Sequence, residues 1–130
     1  APGGSETILV VEDDADLRET VVTALSLLGY RALSAPNAAA ALRILAGPEK
    51  IELLFTDVMM PGGMLGPALA KRARELRPNI EVLFTTGFAE TNVLASTAGL
   101  SSTEVINKPY RNEDLAMRIR YVLDREARVA

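Results

Sequence analysis

The sequence predicts an α/β domain built on a parallel sheet, and three observations carry that prediction. Short apolar runs rich in β-branched residues alternate with segments of helical spacing along the chain. Several of those runs are apolar throughout, as strands covered by helices on two faces must be. At 130 residues the chain suits one hydrophobic core rather than two.

The first expected strand is Thr7-Ile8-Leu9-Val10-Val11, which ends abruptly in Glu12-Asp13-Asp14. Leu17, Val21, Leu25 and Leu28 follow at helical spacing, with Asp14 placed to cap that helix and Gly29 to end it. Residues 30–35 form a second, weaker strand. Asn37 caps an Ala-rich helix over residues 38–46, which Gly47-Pro48 closes. Residues 51–56 read as the third strand and run into Asp57.

A Gly/Pro-rich loop, Met60-Pro61-Gly62-Gly63-Met64, leads to a helix over residues 67–76 that Pro78 stops. Residues 80–85 make the fourth strand, ending at Thr86-Gly87, and a short, poorly amphipathic helix falls over residues 91–98. Residues 104–107 give the fifth strand, ending at Lys108-Pro109, a turn that a cis peptide bond would serve. The closing helix spans residues 112–128, with Leu115, Ile119, Val122 and Leu123 on its inner face.

Five strands alternating with five helices fit a flavodoxin-like doubly wound sheet of order 2-1-3-4-5, helices on both faces. Residues 1–5 read as a flexible linker or cloning remnant and residues 6–128 as the domain. A start at Ala1 rather than Met fits a piece cut from a longer protein.

Composition removes whole classes of chemistry. The chain has no cysteine and no histidine, which excludes thiolate metal sites, Ser-His-Asp triads and phosphohistidine within these residues. A net charge of −3 gives no reason to expect nucleic acid as a direct partner. No stretch approaches the roughly 20 apolar residues of a membrane span, and no secretory signal is visible. The expectation is a cytoplasmic domain without direct membrane contact, although its parent protein could be membrane-anchored.

In an open α/β sheet the functional crevice lies beyond the carboxyl ends of the strands. Glu12 and Asp13 end strand one, Asp57 strand three, Thr86 strand four and Lys108 strand five. Strands one and three are neighbours in the predicted order, so three carboxylates crowd together. Two like charges about 4 Å apart repel by roughly 4 kcal/mol at an effective dielectric of about 20. Such a cluster calls for a cation, and hard oxygen ligands without His or Cys favour Mg2+. Lys108 and the Thr86 hydroxyl could then stabilise charge on a phosphoryl group attached to Asp57 as nucleophile. Taken singly, each residue has a bland reading: helix-capping acids, a turn aspartate, a Lys-Pro turn, a surface hydroxyl. Their coincidence at the ends of different strands favours chemistry.

The sequence resembles the receiver domains of two-component response regulators and hybrid histidine kinases. The resemblance is carried by residues 8–14, by Thr56-Asp57-Val58-Met59-Met60-Pro61-Gly62, by Leu83-Phe84-Thr85-Thr86-Gly87 and by Lys108-Pro109-Tyr110, in order and spacing. It implies that Asp57 is the phosphoacceptor, that Asp13 ligates Mg2+ directly and that Glu12 acts mainly through metal-bound water. It also implies a ligand from the Met59 backbone carbonyl, a switch hydroxyl on Thr86 and Lys108 as the cation that pairs with the phosphoryl group. The donor would be a histidine kinase or phosphotransfer domain, in cis or in trans, and the chemistry single-turnover rather than that of an enzyme. Val105 stands where many receivers carry a switch aromatic. Met59 and Phe88, both large and apolar, would flank the approach of hydrolytic water and slow dephosphorylation. The Phe84-Thr85-Thr86-Gly87-Phe88 segment looks like receivers of hybrid sensor kinases. A small Mg2+-dependent phosphatase using Asp14-Ala15-Asp16 is the competing enzyme, and a non-phosphorylated pseudo-receiver the competing interaction module.

Overall fold

The computed structural model describes residues 3–59, 65–86 and 105–129, with side chains to residue 125. The chain runs β1 (Thr7–Val11), α1 (Ala15–Leu27), β2 (Arg31–Ala35), α2 (Ala38–Leu45) and β3 (Leu53–Asp57), then α3 (Gly66–Leu76), β4 (Glu81–Thr86), β5 (Val105–Asn107) and α4 (Asn112–Val129). All strand pairs are parallel, in the order β2-β1-β3-β4-β5. The predicted order therefore holds. The Met60–Met64 loop, Gly87, Phe88, Glu104 and the short helix expected over residues 91–98 lie outside the described residues.

Strand alternation divides the core into two layers. Ile8, Val10, Leu53, Phe55, Leu83 and Ile106 face α1 and α4, where Val21, Leu25, Leu115, Ile119 and Val122 cover them. Leu9, Val11, Leu54, Val82 and Phe84 face α2 and α3, against Ala41, Leu45, Leu69, Ala70 and Ala73. The central strands are buried on both sides, and β2, at the edge, exposes Arg31 and Ser34. That edge position explains why β2 reads weakly in the sequence.

Helix ends follow local chemistry. The Asp14 carboxylate accepts from Asp16 N at 3.0 Å and Leu17 N at 3.1 Å, and Asn37 accepts from Ala40 N at 2.9 Å. Each such cap is worth about 1 kcal/mol. Gly29 adopts φ 98°, while its amide donates to Ser26 O and that of Tyr30 to Leu25 O. This pairing consumes the last carbonyls of α1 and delays β2 to Arg31. Arg77 closes α2 from outside, donating to Leu45 O at 2.9 Å and Gly47 O at 2.8 Å.

Several boundaries move by one or two residues. Ile51 is buried, but the β3 ladder starts at Leu53, and Ile80 spends its amide on a turn to Arg77 O before β4 begins. Helix α3 begins at Gly66, one residue before the expected Pro67, because Pro at the helix start needs no donor.

Candidate functional site

The strand ends converge where Asp57 closes β3. Val11 pairs with Thr56 across β1 and β3, so the residue after each, Glu12 and Asp57, stand side by side. Alternation turns both toward the α1–α4 layer, since Val10 and Phe55 two residues earlier lie there. Glu12 and Asp57 are 5 % and 3 % exposed, whereas Asp13 is open to solvent. One carboxylate oxygen from each of the three acids lies within 4.8 Å of the others.

Lys108 is the facing cation. Its Nζ sits 2.9 Å from Asp57 Oδ1 and 3.4 Å from Glu12 Oε1. The Asp57 contact is an ion pair, and Oδ1 is otherwise buried without a hydrogen-bond partner. The backbone positions the lysine: Lys108 N donates to Thr86 O at 2.8 Å, and the Lys108–Pro109 peptide bond is cis. Around Glu12, Oε2 accepts from Asp14 N at 3.1 Å and the carbonyl accepts from Arg18 Nη1 at 2.7 Å.

These charges act on one another. Burial, followed by the adjacent Asp57 carboxyl, pushes Glu12 up to about 7 from an ordinary 4.5. For Lys108, burial pulls the ammonium down, but Asp57 and Glu12 outweigh it and the net shift is upward. Burial pushes the Tyr110 phenol up to about 12, and its ring meets Phe55 edge-on at 6.3 Å. An acid cluster with one lysine against it fits a hard divalent cation, because oxygen is the only donor offered.

The structure thus brings together Glu12, Asp13, Asp57 and Lys108. Thr86 ends β4 and is 1 % exposed, and alternation gives it the face of Phe84 rather than that of Asp57. Met59 lies two residues past Asp57 and is 39 % exposed. Val105 packs half-buried against the Phe84 layer.

Two features were missed in the sequence. Gly66 packs so closely on Asp57 that a Cβ there would overlap the Asp57 carbonyl oxygen, while its own amide donates to Val58 O at 2.8 Å. A lone glycine after a Gly-rich loop gave no local signal for that contact. The second is Thr85, the lateral partner of Asp57 on β4, which is 3 % exposed. Beside Lys108 a groove of about 450 Å³ opens between α1 and α4, lined by Leu17, Val21, Pro109, Tyr110 and Leu115.

The family described as "Response regulator receiver domain" matches residues 8–120. The response regulator receiver protein CpdR of Brucella abortus is 37 % identical over 116 residues, covering 89 % of this chain and 95 % of CpdR. Sensor kinase CckA of the same organism is 31 % identical over 125 residues, or 95 % of this chain but 13 % of the kinase. The crystal structure of a CheY-like receiver domain from Methanospirillum hungatei superposes with a TM-score of 0.82 at 29 % identity, over 98 % of this chain and all of the other.

Proposed function

This chain belongs to the response regulator receiver domain family, and from that premise we propose that it takes a phosphoryl group from a phosphohistidine onto Asp57. As a receiver domain of two-component systems it works in signal relay. The observation that carries the residue-level reading is the position of Asp57: nearly buried, flanked by Glu12 and Asp13, and held 2.9 Å from Lys108. An Asp57 oxygen forms the new O–P bond as the donor's N–P bond breaks, and the imidazole keeps the bonding pair. No histidine is present in these residues, so the donor is another domain or another protein.

In this reading Asp13, Asp57 and the Met59 carbonyl would hold Mg2+, and Glu12 would act mainly through metal-bound water. Bound there, the ion would neutralise charge on the transferring phosphoryl oxygens. Lys108 offsets the charge on the acceptor side and reorients toward the product. Thr86 turns from the Phe84 face toward the phosphoryl group, which carries roughly two negative charges. The groove beside Lys108 offers the donor domain an apolar footing. With Val105 in place of a ring, the switch stays near the loops after β3 and β4. Turnover is single, so this is not a phosphatase that cycles on small esters.

A role as the receiver of a hybrid sensor kinase is favoured by the likeness to CckA. The test is intact mass after treatment with a small phosphodonor, with and without Mg2+. One phosphoryl group, dependent on Mg2+ and absent from Asp57→Asn, is expected. An Asp57→Asn protein with the same mass gain would overturn the assignment. Asp13→Asn should weaken metal binding more than Glu12→Gln.

A further inference from the structure

We infer that Thr85 is a positioning residue for Asp57, its hydroxyl donating to the Asp57 carboxylate and holding it for phosphoryl transfer. The inference rests on the reading of Asp57 as acceptor and adds to it a residue that the metal, switch and lysine roles leave out. Among the described residues, two buried side-chain polar atoms have no hydrogen-bond partner: Asp57 Oδ1 and Thr85 Oγ1. They belong to residues directly paired across β3 and β4.

Paired residues of parallel strands project to the same face. Phe55 and Leu83, paired two residues earlier, both lie in the α1–α4 layer, so Asp57 and Thr85 share that side. Neighbouring strands run about 4.8 Å apart, which leaves the two side chains adjacent. Rotation about the Thr85 Cα–Cβ bond then decides whether its hydroxyl faces the carboxylate.

The chemistry is complementary. Thr85 has a proton to give, and Oδ1 has a lone pair that Lys108 meets only as an ion pair. On its other side Thr85 pairs with Ile106, which offers nothing polar, and the layer beneath is Leu83, Leu115 and Ile119. A threonine hydroxyl sealed among such groups costs stability unless it finds an acceptor. Asp57 is the acceptor across the ladder. With Lys108 and Thr85 both directed at Oδ1, carboxylate rotation is restricted and the second oxygen remains for bond formation. Thr86, one residue on, has the opposite face and a separate task.

Thr85→Val keeps shape and removes the donor, and Thr85→Ser keeps the donor. With a small phosphodonor and saturating Mg2+, Thr85→Val should slow single-turnover phosphorylation about tenfold, the loss of one charge-assisted hydrogen bond. Thr85→Ser should return the rate to within about twofold of wild type. A second measurement needs neither metal nor phosphoryl transfer: urea midpoints in EDTA for Thr85→Val, with Asp57 intact and with Asp57→Ala. The bond predicts a lower midpoint in the first background and no lowering in the second. Removing a merely orphaned hydroxyl would raise both midpoints equally, and that result overturns the inference. So does a Thr85→Val rate equal to wild type. A wild type that takes no phosphoryl group, or an Asp57→Asn protein that does, overturns the acceptor reading instead, while the midpoints still judge the Thr85–Asp57 bond.

Discussion

The two ends of the sheet both carry charge clusters, and the clusters are of opposite kinds. At the carboxyl end, Glu12, Asp13 and Asp57 share Lys108, and Asp13 touches no cation among the described residues. At the amino end Glu6, Asp124 and Glu81 each meet a guanidinium. Arg120 pairs with Glu6 at 2.6 Å and Asp124 at 2.8 Å, and also donates to Gly3 O at 3.2 Å. Arg125 pairs with Glu81 at 2.6 Å. The planar fork of arginine satisfies a carboxylate in full, whereas lysine is a point charge that can be shared and redirected. One end is a finished structural joint between the N-terminal lead and α4. The other end is short of positive charge, which suits it to a cation.

The carboxyl shifts carry the same contrast. Burial and Asp57 push Glu12 up to about 7, while the Arg120 hydrogen bonds hold Glu6 below its ordinary value. The largest expected effect follows from the first. In metal-free protein Glu12 binds its proton more tightly folded than unfolded, so its contribution to stability is full below about pH 4.5 and lost as pH rises toward 7. That loss is at most on the order of 3 kcal/mol. Urea unfolding in EDTA between pH 4.5 and 8 should show wild type falling relative to Glu12→Gln across that window. Saturating Mg2+ should remove the difference at pH 8. A wild type that gains on Glu12→Gln as pH rises would break the comparison.

A second difference lies in how closely backbone is packed at each end. A Cβ on Gly66 would strike the Asp57 carbonyl, which is fixed by the sheet, whereas one on Gly4 would first meet the ends of the long Glu6 and Arg120 side chains. Gly66→Ala should therefore cost about 2 kcal/mol and impair phosphoryl uptake. Gly4→Ala should cost about half as much and leave uptake alone. Thermal unfolding with the mass assay checks both, and equal losses would mean that the site end is no tighter.

Much of this was legible in the sequence, for physical reasons that differ by residue. The strands and the positions of Glu12, Asp13, Asp57 and Lys108 at their ends followed from apolar runs that stop at charged residues, because a buried strand must end where charge begins. The strand order followed from the common arrangement of doubly wound sheets. Asp14, Gly29 and Asn37 were readable because caps are local chemistry. The roles of Thr85 and Gly66 were not, since each depends on which residue of another strand or loop stands opposite. The Arg120 joint was equally hidden: its partners Glu6 and Asp124 lie 114 and 4 residues away, and only the folded sheet brings both to one guanidinium.

Arg120→Met keeps the aliphatic stem and removes the fork. It should cost about 1–2 kcal/mol, because Glu6 and Asp124 lose their partner while a quarter exposed or more, where solvent compensates. The single-turnover phosphorylation rate at 25 °C should be unchanged. A slowed rate would show that the amino end reports to the acceptor, against the division drawn above.

The smallest effect tests the acid side of that division. Glu6 has a folded-state carboxyl held below its ordinary 4.5, first by the Arg120 hydrogen bonds, which outweigh its partial burial. Its stabilising contribution is therefore present above about pH 4.5 and is lost as pH falls through the lowered folded value. That slope is opposite in sign to the one from Glu12. Because the Glu6 side chain is 26 % exposed, screening limits its worth to about 1 kcal/mol or less. Glu6→Gln should lie below wild type by that amount at pH 7 and rejoin it near pH 3. Added salt should shrink the gap, since Arg120 and Glu6 are both reached by solvent. Glu12→Gln measured beside it should differ from wild type most at high pH and least at low pH. A Glu6→Gln protein that matched wild type at pH 7 and gained on it in acid would mean that Arg120 does not hold Glu6 in solution. The amino end would then be held by Asp124 and the buried layers alone.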